Sequence, residues 1–205
     1  EKCIPLICLH NGLFNIFLKK YDESFFYFDK IKKNKFNSFR VSELLLYYYL
    51  DNNKKKSAEE TIEFINEQNL NFVNLKFDDF YLKKQILNPV LNPEDGLSEV
   101  FYNISSWYFT KNLYKYAAFF GEISLKFRPN FSAMRLLLVG IYEKLNYFEL
   151  ALERMNNLER DNIYFYKFLK MKLSIFDQLE MKKEAIEELK KLTKLYPNNP
   201  KIIVL

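Results

Sequence analysis

Apolar residues recur at three- and four-residue steps through most of this chain, which is the pattern of amphipathic helices. The clearest example covers about residues 97–110, with an apolar face made of Val100, Phe101, Ile104, Trp107 and Tyr108. A second helical pattern covers about 113–127, after a short turn at Lys111-Asn112. It ends at Arg128-Pro129-Asn130, because proline cannot continue a helix. The sequence therefore predicts a pair of helices joined by a short turn.

The same pattern recurs with a period of 34 residues. Ala117, Ala151 and Ala185 have this spacing, and Pro129 and Pro197 each lie twelve residues after an alanine. Large aromatic residues lie nine positions before the alanines, at Tyr108, Tyr142 and Phe176. A fixed period of roughly 20–50 residues is typical of a repeat array. We expect the small alanines at close helix crossings and the aromatic residues opposite them. The three units are 98–131, 132–165 and 166–199.

The first half of the chain repeats more weakly. Ser24 and Ala58 are also 34 residues apart. The apolar spacing predicts two helix pairs, at about 4–17 with 22–33 and 38–50 with 56–67. We interpret residues 1–67 as two degenerate repeats. Ser57 is predicted to cap the last of these helices, because Glu60 follows three residues later.

Two segments depart from the period. The spacing between Ala58 and Ala117 exceeds the 34-residue period by 25 residues, and the excess falls within residues 68–97. We interpret them as an insertion or linker with one short helix at about 77–85. Residues 200–205 have the register of the truncated start of a further repeat, and their apolar character predicts an end-to-end contact with another molecule.

The 34-residue unit, with its recurring alanine, aromatic and proline positions, resembles the tetratricopeptide repeat. The segments Asp95-Gly96-Leu97-Ser98-Glu99 and Tyr196-Pro197-Asn198-Asn199-Pro200 are similar to those of large bacterial proteins that carry many such repeats. The resemblance implies an all-α fold, an α-α superhelix (solenoid) of antiparallel helix pairs with about five units and one irregular insertion. It also implies an interaction scaffold without catalytic activity or cofactor.

In this family the first helix of each pair lines a concave face, where peptides or partner segments bind. The resemblance therefore implies a peptide-binding face that includes Tyr102, Ser106, Phe109, Leu136, Glu143, Lys167 and Lys170. Neighbouring positions on the same face are Asn103, Gly140, Ser174 and Asp177. The aromatic residues would hold an apolar anchor and the lysines an acidic group.

One subclass of the family clamps the terminal carboxylate of chaperone tails with lysine, asparagine and arginine. The matching positions here hold Tyr102, Ser106, Leu137, Lys167 and Met171. Only Lys167 fits that requirement, which argues against a chaperone tail as the ligand.

The candidate chemistry of the chain is sparse. Cys3, Cys8 and His10 are its only cysteines and histidine, and they give three metal ligands without a fourth. We interpret both cysteines as helix residues without a disulfide, because a bridge within one helix would be strained. The four glycines are isolated, so the sequence contains no glycine-rich phosphate loop. We therefore predict that the protein is not an enzyme and binds no metal.

The net charge of +5 is modest, and basic residues alternate with acidic ones. No stretch reaches the roughly 20 apolar residues that a membrane-spanning helix needs. We expect another protein or a peptide as the partner. The alternative is a helical-repeat RNA-binding protein, because related repeats read one base per unit. We rank it second, since paired polar positions do not recur. The compartment stays open between the cytoplasm and the cell envelope.

Overall fold

The computed structural model describes residues 4–33, 38–68, 87–156 and 162–195. The regular structure in these ranges is α-helical, which confirms the predicted all-α class, and it comprises ten helices. They are α1 Pro5–Phe17, α2 Tyr21–Lys33, α3 Phe39–Asp51, α4 Lys55–Gln68, α5 Pro93–Thr110, α6 Tyr114–Phe127, α7 Ser132–Lys144, α8 Phe148–Arg154, α9 Phe165–Gln178 and α10 Lys182–Leu195. We call the odd-numbered helices A helices and the even-numbered ones B helices.

The turn between the A and B helices has the same backbone geometry in all five pairs. One residue of each turn has a positive φ between 55° and 59°, at Lys19, Asn53, Asn112, Asn146 and Glu180. The N–H of the next residue donates to the carbonyl oxygen five residues earlier, at 2.8–3.0 Å. This left-handed residue with its backward hydrogen bond is a common way to end a helix. The period of 34 residues is therefore also a property of the backbone.

The small residue five positions after each left-handed residue is buried in four of the five pairs. Ser24, Ala58, Ala117 and Ala151 have no exposed surface, whereas Ala185 is half-buried. In the pair α5–α6, the hydroxyl of Ser105 donates to the carbonyl oxygen of Ala117 at 2.7 Å. A larger side chain on this part of α6 would meet α5.

The chain divides into two compact units, and the division falls inside α5. Unit 1 holds residues 1–69 and 75–99, and unit 2 holds 70–74 and 100–205. The predicted start of α5 near Leu97 is one turn too late. Asn92 accepts a hydrogen bond from the backbone N–H of Asp95 at 2.7 Å, and Pro93 takes the first helical position. Asn92 and Pro93 thus begin the helix.

In unit 1, α1 packs on α2 and α3 packs on α4. Stacked rings join α2 to α3, with Phe28 lying 5.8 Å from Tyr48 between ring centroids. Every residue of α3 from Arg40 to Leu50 is buried. A helix buried on all sides is the centre of a core, so α3 is the central helix of unit 1.

In unit 2, consecutive helices pack in order, α6 on α7 and α7 on α8, and α9 packs on α7, α8 and α10. Gly121 of α6 lies directly against α7. A Cβ atom there would lie 2.7 Å from Met134 and 2.8 Å from Leu138. The guanidinium of Arg154 donates to both carboxylate oxygens of Glu122 at 3.1 and 3.0 Å, which joins the B helices α6 and α8.

Three further expectations have specific outcomes. Cys8 is disulfide-bonded, so the prediction of no disulfide is wrong. The strain argument assumed two helical cysteines, but Ile4 is extended and α1 begins at Pro5, so Cys3 precedes the helix. Ser57 does not cap α4, because that helix begins two residues earlier at Lys55. The predicted helix at 77–85, Pro197 and residues 200–205 lie outside the described residues.

Candidate functional site

The residues of the predicted peptide-binding face lie on the three A helices of unit 2. All seven belong to its described part, and six of them are half-buried while Lys170 is exposed. On α5 they are Tyr102, Ser106 and Phe109, on α7 Leu136 and Glu143, and on α9 Lys167 and Lys170.

Glu143 connects two of these A helices. Its carboxylate accepts a hydrogen bond from the side-chain amide of Gln178 at 3.0 Å and from the hydroxyl of Ser174 at 3.5 Å. Glu143 lies on α7, and its two partners lie on α9. Two predicted members of the face, Glu143 and Ser174, are therefore neighbours across adjacent A helices.

The two aromatic members of the face are partly used for packing. The ring of Tyr102 lies 5.3 Å from that of Phe131, which has no exposed surface. The ring of Phe109 lies 5.6 Å from that of Tyr114. Each ring thus packs against a second ring and offers only part of its surface to a ligand.

The two lysines on α9 differ in their surroundings. Burial lowers the pKa of the Lys167 ammonium group. Lys170 is exposed, and its Nζ atom lies 5.9 Å from the centre of the Tyr166 ring. An acidic ligand group beside Lys167 would replace part of the lost hydration and raise this pKa again.

Unit 1 contains a peptide contact that the sequence reasoning missed. We call Leu87-Asn88-Pro89-Val90 the strap; all four residues are buried and lie outside the α-helices. Arg40 donates from its guanidinium to the carbonyl oxygens of Leu87 at 3.3 Å and Asn88 at 2.8 Å. The hydroxyl of Tyr48 donates to the carbonyl oxygen of Val90 at 3.0 Å. Two side chains of α3 therefore bind the main chain of the strap.

Arg40 is held by two buried carboxylates. Its guanidinium pairs with Glu43 at 2.6 Å and donates from Nε to Glu99 at 2.9 Å. The three side chains are at most 3% exposed. Removing one member of a buried ion cluster leaves an uncompensated charge, so Arg40 is fixed in the orientation that faces the strap.

One of the two residues of α3 that bind the strap, Arg40, corresponds to a residue of the predicted face of unit 2, whereas Tyr48 does not. Arg40 lies 18 residues before Ala58, as Lys167 lies 18 before Ala185. Glu43 lies 15 residues before Ala58, as Lys170 lies 15 before Ala185. Continuing the 34-residue register into the weak repeats would have identified both residues. The strap itself carries no periodic signal.

Two titratable groups of unit 1 respond to this packing. Burial raises the pKa of the Tyr48 hydroxyl, while Arg40 and the hydrogen bond to Val90 act in the opposite direction. Tyr48 is thus held as a neutral donor. Burial lowers the pKa of His10, and the nearby charge of Glu99 partly opposes this shift.

Within the described ranges, no group of three or more His, Cys, Asp or Glu side chains has the arrangement of a metal site. No helix in these ranges is long and apolar enough to cross a membrane. Comparison with protein-family models, curated proteins and solved structures found no match. The functional argument therefore rests on the residues of this chain alone.

Proposed function

We propose that this protein is a non-catalytic interaction scaffold, in which the A helices of unit 2 bind an extended segment of another protein. The observation that carries the proposal is the strap on α3. It is a non-helical segment, and Arg40, which binds two of its carbonyl groups, has the register position of Lys167 in the predicted face of unit 2.

The helix pairs are interpreted as tetratricopeptide-like repeats, and those of unit 2 as a short solenoid. The recurring left-handed turn residue supports this interpretation, because it appears in all five pairs, including the two whose sequences repeat weakly. The packing of α9 on both α7 and α8 also supports it, since adjacent repeats of a solenoid contact each other.

The chemistry of the face indicates the type of segment. Tyr102, Phe109 and Leu136 offer half-buried apolar surface, which suits one large apolar side chain of the ligand. Lys167 and Lys170 suit an acidic side chain. Glu143 is already bonded to α9 and is expected to orient that helix. The ligand is therefore an extended segment with an apolar anchor and an acidic residue.

Affinity capture from native cell extract tests the proposal, with bound molecules identified by mass spectrometry. The test variant is Leu136→Glu with Lys170→Glu, which leaves the ring contacts of Tyr102 and Phe109 in place. The matched control is Phe119→Glu with Lys115→Glu on the exposed side of α6. Circular dichroism verifies that both variants fold.

The proposal predicts that a protein is captured by the parent chain and the control and is lost by the test variant. Equal capture by both variants would contradict it. Capture of nucleic acid alone would favour the RNA-binding alternative.

A further inference from the structure

Large apolar side chains are exposed around the turn between α5 and α6. Four of them are 56%, 44%, 58% and 60% exposed, in chain order. Two exposed lysines lie among them. We call these six residues of unit 2 the tip surface: Trp107, Lys111, Leu113, Lys115, Tyr116 and Phe119. A contiguous apolar patch on a protein surface marks an interaction site.

Ring contacts show that the aromatic members of the tip surface lie together. The rings of Tyr108 and Phe120 are half-buried and parallel, with 5.4 Å between their centroids. Trp107 and Tyr116 contact the Tyr108 ring at 5.0 and 5.5 Å. Phe119 contacts the Phe120 ring at 5.2 Å. The three exposed rings therefore share one support of two stacked rings, which holds them at the surface.

The repeat itself does not require an apolar residue at the position of Phe119. The corresponding positions on three of the other four B helices hold Glu60, Glu153 and Glu187, and all three are exposed. The fourth, on α2, holds the exposed Phe26. The position thus faces water throughout the chain. Packing within the helix pair does not account for the ring of Phe119, whereas contact with another surface does.

The charge of the tip surface is positive. Lys111 and Lys115 are the only charged residues in 100–121. The next charged residue, Glu122, pairs with Arg154 at 3.0 Å, so its charge is compensated. Anionic lipids attract lysines near a bilayer, and Trp and Tyr rings concentrate at the level of the headgroups. The composition of the tip surface therefore complements an anionic bilayer.

Two other occupants fit this surface less well. A symmetric dimer sets a patch against itself, so a second copy would bring lysines of like charge together. A nucleic-acid strand is bound by a positively charged groove that follows its backbone, and two lysines do not form such a groove. Leu113 is aliphatic and offers no ring on which a base could stack. Apolar side chains flanked by lysines are what an interfacial protein segment presents to lipid.

We propose that the tip surface binds the anionic surface of a lipid bilayer. The side chains of Trp107, Tyr116 and Phe119 enter the headgroup region, and Lys111 and Lys115 contact the anionic headgroups. None of these residues belongs to the A-helix face, and the ligand is lipid rather than protein. Substitutions at positions 115 and 119 therefore remain controls for the capture of a protein, and the two proposals stand or fall independently.

Fluorescence of Trp107, the single tryptophan of the chain, reports binding directly. The probe is a vesicle of phosphatidylcholine with about 30% phosphatidylserine, and pure phosphatidylcholine vesicles are the comparison. We expect a blue shift of the emission with the mixed vesicles, because the indole leaves water. Partition of the full chain onto the mixed vesicles should be about tenfold stronger than onto the neutral ones.

Two variants keep the tryptophan and test the two parts of the surface. Tyr116→Ser with Phe119→Ser should weaken partition onto mixed vesicles about tenfold. Lys111→Gln with Lys115→Gln should remove the preference for mixed over neutral vesicles. The matched control is Phe14→Ser with Phe26→Ser, two rings of similar exposure in unit 1, at 61% and 56%. Circular dichroism verifies folding, and the lysine variant carries the test if the serine variant does not fold.

Four results would overturn the proposal. The first is no blue shift with mixed vesicles. The second is an equal loss of partition in the serine variant and its control, because any exposed ring would then contribute. The third is an unchanged preference for mixed vesicles in the lysine variant. The fourth is another occupant, seen either as a single-stranded oligothymidylate that quenches Trp107 without any vesicle binding, or as a dimer in sedimentation velocity that the serine variant abolishes.

Discussion

The A helix α3 of unit 1 and the A helices of unit 2 have corresponding residues in opposite situations. On α3, Arg40 and Glu43 are buried beneath the strap, whereas Lys167 is half-buried and Lys170 exposed on α9. The same repeat geometry thus supports a face that the chain fills itself and a face that remains accessible. Among the described residues, the strap is the non-helical segment whose main chain is bound by an A helix, and it belongs to unit 1.

The contrast also concerns charge. Unit 1 uses an arginine between two carboxylates, all buried, to hold main-chain carbonyl groups. The positions that correspond to Arg40 and Glu43 hold Ala133 and Leu136 on α7, and Lys167 and Lys170 on α9. A buried charge cluster is rigid and costly to disturb, while a half-buried face can accept a ligand without first losing such a cluster.

The largest expected effect is that of Arg40→Met in unit 1. Glu43 and Glu99 would remain buried without their cation, so we expect a loss of about 3–5 kcal/mol in the free energy of unfolding. Chemical denaturation followed by circular dichroism measures it. The single tryptophan, Trp107, belongs to unit 2, so its fluorescence reports whether that unit is also affected.

Lys55→Ala is the control for Arg40→Met, because Lys55 is 68% exposed and its contact with Glu59 is long, at 3.8 Å. Its effect should stay below about 0.5 kcal/mol. If the two substitutions had similar effects, the buried cluster would not hold α3 and the strap together.

The next effect in size concerns the alanines of unit 2. Ala151→Leu should destabilise the protein by about 1–3 kcal/mol, because Ala151 has no exposed surface. Ala185→Leu should have a clearly smaller effect, since Ala185 is half-buried. Thermal unfolding of both variants measures the difference. Equal melting of the Ala151→Leu variant and the parent would argue against the repeat register.

Replacing one glycine in each unit by alanine should have a smaller effect on stability, and the sign of the effect should differ between the units. A Cβ atom at Gly12 would lie 2.4 Å from the Phe28 ring, so Gly12→Ala should destabilise unit 1 by about 1 kcal/mol. A Cβ atom at Gly140 would lie 3.5 Å from Met171, an ordinary contact. Gly140→Ala should therefore stabilise unit 2 by about 0.5–1 kcal/mol, as alanine favours a helix over glycine. If both substitutions shifted the denaturation midpoint in the same direction relative to the parent, these contacts would be contradicted.

The smallest predicted effect is the pH dependence contributed by His10. Its folded-state pKa is lowered by burial, so the folded protein holds this proton less tightly than the unfolded chain. The contribution of His10 to the free energy of unfolding is therefore present above the unfolded-state pKa of about 6.5. It is lost as the pH falls through the pKa of the folded state. His10→Gln should lose less stability than the parent between about pH 7.5 and pH 5. An identical loss would show that other groups cause the acid sensitivity.

The sequence predicted the helix pairs well because their signal is local. Apolar spacing placed α1–α4 and α6 within a few residues of their observed ends. The start of α5 was missed because Asn92-Pro93 indicates either a chain break or a helix cap, and only the hydrogen bond to Asp95 decides between them. The periodic alanines gave the register but not the burial, which differs between Ala151 and Ala185.

The strap could not be predicted, because it depends on contacts between distant parts of the chain. Tyr48 and Val90 are 42 residues apart, and Arg40 and Glu99 are 59 apart. Neither contact has a periodic signal. The residues of the predicted face in unit 2 follow from the register together with the family resemblance. Their positions on the A helices could therefore be given in advance, but not the ring contacts of Tyr102 and Phe109.

Site-specific photo-crosslinking tests the central claim most directly. A photoreactive phenylalanine would replace Leu136 on the A-helix face of unit 2, and Phe119 on α6 would carry the same group as the control. The account predicts that the probe at position 136, exposed to light in native extract, forms a covalent adduct with one contiguous segment of another protein, as identified by mass spectrometry. No adduct beyond that formed at position 119 would contradict the claim that this face binds a partner.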